Sequence, residues 1–131
     1  MKRIEQYSRK IEYILTSLEK MDFPESEKDV YALFYLLHTS IEAAMDITAM
    51  LVKDLGSMPR DDYENIETLY EKGLIDKEFA ENLKKLNGLR NILVHRYNKV
   101  DENLVVRELN NIKEILNKFI DVVENVIQRI F

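Results

Sequence analysis

The sequence predicts an all-α protein, an antiparallel up-and-down bundle of four long helices and one short one, and three observations carry that expectation. Apolar residues recur in alternating three- and four-residue steps along most of the chain. Glycine and proline are scarce, three and two among 131 residues, so little interrupts those steps. Pro24, Gly56, Pro59 and Gly73 fall between the periodic stretches and divide them.

The first stretch, Ile4, Tyr7, Ile11, Ile14, Leu18 and Met21, puts one apolar stripe on a helix that Pro24 closes, because proline lacks an amide to donate and its ring crowds the preceding turn. A second series runs Val30, Leu33, Leu37, Ala44 and Leu51, with Phe34, Ile41, Thr48 and Leu55 beside it. That width of apolar surface predicts a long, central and most buried helix, ending before Gly56 and Pro59. Asp61 or Asp62 can accept from the free amides of a short third helix, which Gly73 ends. Asp76 caps a fourth, with Phe79, Leu83, Leu86 and Leu93 in heptad-like steps. The fifth carries Val105, Leu109, Ile112, Leu116, Phe119, Val123, Val126 and Ile130. Helices joined by a few residues must pack as neighbours, and that favours the antiparallel arrangement. No repeat, low-complexity tract or linker interrupts the series, so residues 1–131 read as a single domain.

Composition narrows the function. A hydrophobic content of 46% can fill a core, and 33% charged residues would keep the chain soluble. The longest apolar run, Val30 to Leu37, is eight residues, far short of the roughly 20 a bilayer requires. Charges at Lys2, Arg3 and Glu5 stand where a signal peptide would place its apolar stretch, so a cytoplasmic location is expected. Cysteine is absent, which excludes disulfides and cysteine-ligated zinc. A net charge of −5 argues against non-specific coating of nucleic acid but leaves room for a local site.

The anomaly lies on the fourth helix, where the seam passes from Leu86 to Arg90, Leu93 and Tyr97 and so places a guanidinium where leucine belongs. Burying an unpaired charge costs several kcal/mol, so Arg90 needs an anionic partner on another helix or a cleft to face. The first outcome would make it a structural ion pair, the second a binding group. On an ideal helix Asn91 and His95 lie about 40° apart, and Arg90 and Tyr97 about 20°. These four polar groups border one arc. Arg90 and His95 are themselves about 140° and about 7.5 Å apart, so a second subunit is expected to complete any site they share. From Lys84 to Lys99 the cations Lys84, Lys85, Arg90, Arg96 and Lys99 occur with no acidic residue among them, which predicts a local focus of positive charge.

The segment Gly88-Leu89-Arg90-Asn91-Ile92-Leu93-Val94-His95-Arg96-Tyr97 resembles the R-x-x-x-x-H-x-Y signature of HepT proteins, the minimal HEPN-domain toxins of type VII toxin–antitoxin pairs. Ala43-Ala44-Met45-Asp46-Ile47, Gly73-Leu74-Ile75-Asp76 and Lys99-Val100-Asp101 are similar to family words at comparable places, so the resemblance spans about Val30 to Ile127. Arg96, and Asn98-Lys99 after the tyrosine, depart mildly from the pattern.

The resemblance implies a HEPN-like helical bundle, a homodimer with the motif near the subunit interface, and a metal-independent endoribonuclease needing no cofactor. It also implies a nucleotidyltransferase partner of the MntA kind that silences the toxin by transferring AMP to Tyr97. The residue types suit such chemistry. When the adjacent 2′-hydroxyl attacks the phosphate, a base must take its proton, an acid must serve the leaving 5′-oxygen, and positive charge must face the transition state. His95 can exchange protons near neutrality and Arg90 can donate to phosphate through two parallel bonds. A second His95, from the twofold-related subunit, would supply the remaining acid or base. Asn91 would orient phosphate or His95, and Arg96 would support the phosphate.

Two other readings remain open at this point. A catalytically silent helical interaction module could use Arg90 and His95 only to hold the subunit interface, or to help a partner nucleotidyltransferase bind its target. His38, Glu42 and Asp46, at i, i+4 spacing, could face one metal site, although the paired Glu-x-x-His motifs of di-metal bundles are missing.

Overall fold

The computed structural model describes residues 2–95 and 100–131. Five helices follow in order among them: α1 Lys2–Lys20, α2 Glu27–Asp54, α3 Asp62–Glu71, α4 Lys77–His95 and α5 Glu102–Ile130. No strand occurs among the described residues. Arg96 and Tyr97, two of the residues singled out above, lie outside them, as do Asn98 and Lys99.

The helix starts are set by side-chain oxygens that accept otherwise unpaired backbone amides. Asp61 rather than Asp62 caps α3, taking the Glu64 amide at 2.8 Å. Asp76 takes the Phe79 amide at 2.8 Å to start α4. Ser26 and Asp101 do the same for α2 and α5, through the amides of Asp29 and Leu104. Gly73 closes α3 with a φ of 76°, while the next amide, of Leu74, reaches back to the carbonyl of Leu69. A left-handed residue at that place is what lets the chain turn sharply into α4.

Side-chain contacts give the directions of the helices. Arg3 meets Asp54, and Tyr13 meets Thr39, so α1 runs antiparallel to α2. The Tyr7 ring meets the tilted ring of Phe131 and Lys113 donates to the Met21 carbonyl, so α5 also runs antiparallel to α1. Lys84 meets Glu67 and Asn91 meets Tyr63, which sets α3 antiparallel to α4. The up-and-down expectation therefore holds, with α3 as the short insertion.

α2 is the central helix, as its wide apolar face predicts, and it touches each of the other four. Leu37, Ile41, Ala44, Ile47, Leu51 and Val52 are fully buried. The larger of these aliphatic side chains each stabilise the fold by about 1.5–3 kcal/mol through burial. On α4, Leu83, Leu86 and Leu93 enter the core as the heptad steps require, while Phe79 is only partly covered. Among the described residues no helix is long and apolar enough to cross a membrane.

Candidate functional site

Arg90 takes the seam step between Leu86 and Leu93, and those two leucines pin that face of α4 to the core. Its hydrocarbon stem can therefore run along apolar surface while the charged head emerges where α4 meets α2 and α3. There the guanidinium is bonded on two sides. Nη2 donates to Glu42 Oε1 on α2 at 3.0 Å, and Nη1 donates to Asn91 Oδ1 at 2.9 Å. The buried Nε has no acceptor among the described residues. Glu42 is engaged at its other oxygen too, 3.2 Å from His38 Nε2 one turn earlier on α2.

Asn91 continues the network toward α3. Because its carbonyl oxygen accepts from Arg90, its amide nitrogen faces the Tyr63 hydroxyl at 3.5 Å. The phenol lies against α4 near Gly88, one turn before Asn91, where a Cβ would meet the Tyr63 oxygen at 3.7 Å, an ordinary contact. Five side chains from three helices thus form one chain of contacts, His38–Glu42–Arg90–Asn91–Tyr63.

Of the cations expected to focus positive charge, Arg90 and Lys84 are paired with carboxylates, while Arg96 and Lys99 lie outside the described residues. Glu42 offsets Arg90, while Glu67 and Glu81 stand 2.7 Å and 3.7 Å from Lys84. Burial pushes the Asp62 carboxyl above its usual value; Arg90 opposes this, and Asp46, Asp61 and Glu42 add to the rise. Apart from Glu81, which is on α4 itself, these carboxylates come from α2 and α3, elements distant in sequence, so the cationic run on α4 could not reveal them.

His95 is the last residue of α4 and is exposed. Among the described residues it bonds neither Arg90 nor Asn91. Beside it, Ile92 and Val94 are 41% and 39% exposed, leaving an apolar edge at the end of the helix. The structure thus joins Arg90 and Asn91, carries His95 on the same helix, and leaves Arg96 and Tyr97 outside the described residues. His38, Glu42 and Asp46 do not gather as ligands: Glu42 goes to Arg90 and His38, and Asp46 to Lys10 at 3.3 Å. No group of three metal-ligating side chains exists among the described residues. Glu42 as the Arg90 partner, and Tyr63 at Asn91, went unassigned by sequence reasoning. Glu42 was visible only as a neighbour of His38 at helical spacing, and Tyr63 gave no signal.

The bundle, with its Arg90–His95 stretch on α4, has the form of a HEPN-type helical domain. The chain belongs to the HepT-like ribonuclease family, whose family model matches residues 4–126. A protein of Archaeoglobus fulgidus that carries the provisional name RNase is 55% identical over 131 residues, covering 98% of each chain. The mRNA nuclease HepT of Shewanella oneidensis is 33% identical over 90 residues, 67% of each chain. Among solved structures, the tri-AMPylated Shewanella oneidensis HEPN toxin in complex with its MNT antitoxin superposes with a TM-score of 0.73 at 26% identity, covering 95% of each chain.

Proposed function

We propose that this chain is the endoribonuclease toxin of a HEPN/MNT toxin–antitoxin pair, acting in the cytoplasm as a homodimeric single-domain protein of residues 1–131. The observation that carries the reading is the placing of Arg90: a guanidinium set into the helix seam at a polar junction, five residues before an exposed histidine, in a chain of a ribonuclease family. The ion pair with Glu42 is also what a purely structural arginine would make. Family membership favours the catalytic role, and a partly exposed pair of this kind is worth on the order of 1 kcal/mol, weak enough for a phosphate to compete.

In this reading Arg90 binds the scissile phosphate and Asn91, held by Arg90 through its oxygen, offers its amide nitrogen to the same group. His95 takes the 2′-hydroxyl proton, the 2′-oxygen attacks phosphorus, and the 5′-oxygen leaves with a proton from the partner subunit's His95, giving a 2′,3′-cyclic phosphate. Arg96 adds charge near the phosphate. Residues supply both proton transfer and charge, so the reaction is read as metal-independent. A nucleotidyltransferase of the MNT kind would silence the site by transferring AMP to Tyr97, where the added phosphodiester would occupy the anion site beside Arg90.

The test is expression without the partner. Arg90→Ala and His95→Ala should remain folded dimers yet lose RNA cleavage and growth arrest. Variants as toxic as the parent would remove both residues from the site. The competing reading, a silent interaction module, gains support if the parent protein neither cleaves RNA nor arrests growth.

A further inference from the structure

The Tyr63 side chain lies at the edge of the Arg90–Asn91 pair although its helix, α3, carries no part of the R-x-x-x-x-H-x-Y segment. Three facts set it apart from a packing tyrosine. It is 42% exposed, so burial is not its main contribution. Its hydroxyl stands 3.5 Å from Asn91 Nδ2, at the outer edge of hydrogen-bond distance, and receives that proton rather than donating its own. Its own proton has no acceptor among the described residues. Asn91, for its part, turns its oxygen to Arg90 and so presents its N–H groups on the Tyr63 side.

Three donors therefore stand side by side, namely the Arg90 guanidinium, the Asn91 amide nitrogen and the Tyr63 hydroxyl. The gap between the last two is too wide for a strong bond between them. A non-bridging phosphate oxygen accepts from several donors at once, and one seated beside the pair, about 2.8 Å from each, would satisfy both. The phenol lies against α4 near Gly88, and the Asp61 cap holds the first turn of α3 on which Tyr63 sits.

We propose that Tyr63 is a substrate-contacting residue of the ribonuclease site, donating its hydroxyl to an RNA phosphate oxygen shared with Asn91 and Arg90. The inference rests on the RNA-cleaving function proposed above. It adds a contact from α3, so the RNA path would run across the α3–α4 edge.

The experiment compares the parent, Tyr63→Phe and Arg90→Ala, prepared without the partner. Two measurements are made on one labelled oligoribonucleotide: single-turnover cleavage of the ordinary form, and equilibrium binding of its 2′-O-methyl form, which cannot be cut. Tyr63→Phe removes the hydroxyl and keeps the ring, so its melting temperature should match the parent's. Losing a hydrogen bond to a charged group should weaken binding of the uncleavable RNA roughly tenfold and slow cleavage at subsaturating protein by a similar factor. Unchanged binding by Tyr63→Phe overturns the proposal, and so does a lowered melting temperature with binding intact, since the hydroxyl would then serve the fold. A parent that binds the 2′-O-methyl RNA but cuts nothing would count against the nuclease reading alone, with the binding comparison still deciding for or against Tyr63.

Discussion

The Arg90 guanidinium donates to Glu42 at 3.0 Å, joining α4 to α2 at the one step of the α4 seam that carries a charge in place of a leucine. Glu42 in turn meets His38. The contact is polar and partly solvated, so its main consequence is orientation: it holds one side of a side chain that otherwise has several rotatable bonds to lose.

Glu42→Ala should therefore cost about 1 kcal/mol of stability or less and reduce RNA cleavage about tenfold, while Glu42→Gln, which keeps an oxygen for Arg90, should retain most of the activity. Denaturant unfolding and single-turnover cleavage of the two variants provide the comparison. Equal losses in both variants would show that charge, rather than orientation, is what Glu42 supplies.

Gly88 lies inside α4, where glycine is less favourable than alanine by about 0.5–1 kcal/mol. An added Cβ meets the Tyr63 oxygen at 3.7 Å, an ordinary contact. Gly88→Ala should raise stability by about that amount, read as a higher urea midpoint with an unchanged slope. A lower midpoint would mean that α3 and α4 sit closer than the structure places them.

Gly73 behaves in the opposite way. Open space surrounds it, but its φ of 76° belongs to the left-handed region. Gly73→Ala should destabilise by about 1 kcal/mol through backbone strain alone. Gly73→Asn should recover part of this, because asparagine tolerates that conformation better; matching midpoints for the two variants would argue against the strain.

Asp54 gives the fold an acid-sensitive contact. Burial tends to raise its carboxyl, but hydrogen bonds from Arg3 and Tyr7 outweigh that and hold it below the usual value. Tyr7 donates at 2.6 Å and Arg3 at 2.8 Å. A lowered folded value means that the contribution is complete above the unfolded carboxylate value of about 3.9 and drains away as pH falls through the folded one. The stability difference between parent and Asp54→Asn should accordingly be largest near neutrality and shrink below about pH 4. A difference independent of pH in unfolding experiments would contradict this.

If an MNT-type partner modifies Tyr97, protein coexpressed with that enzyme should gain whole AMP units, and Tyr97→Phe should gain none. Intact-mass measurement of both proteins decides it. Equal additions on the Tyr97→Phe protein would point to a different acceptor.

The helices were legible in the residues because each is a local object. The stripe from Ile4 to Met21, the broad face of α2 and the caps at Asp61 and Asp76 depend only on spacing within a few turns. Arg90 declared itself by breaking such a stripe, and its need for an anionic partner or a cleft followed from the cost of burying charge. Which partner it found could not be read the same way. Glu42 is 48 residues away and Tyr63 lies 28 residues from Asn91, so only the packing of α2 and α3 against α4 brings them into reach. The same packing set carboxylates of α2 and α3 against Arg90 and Lys84, because electrostatic neighbours are chosen by distance in space.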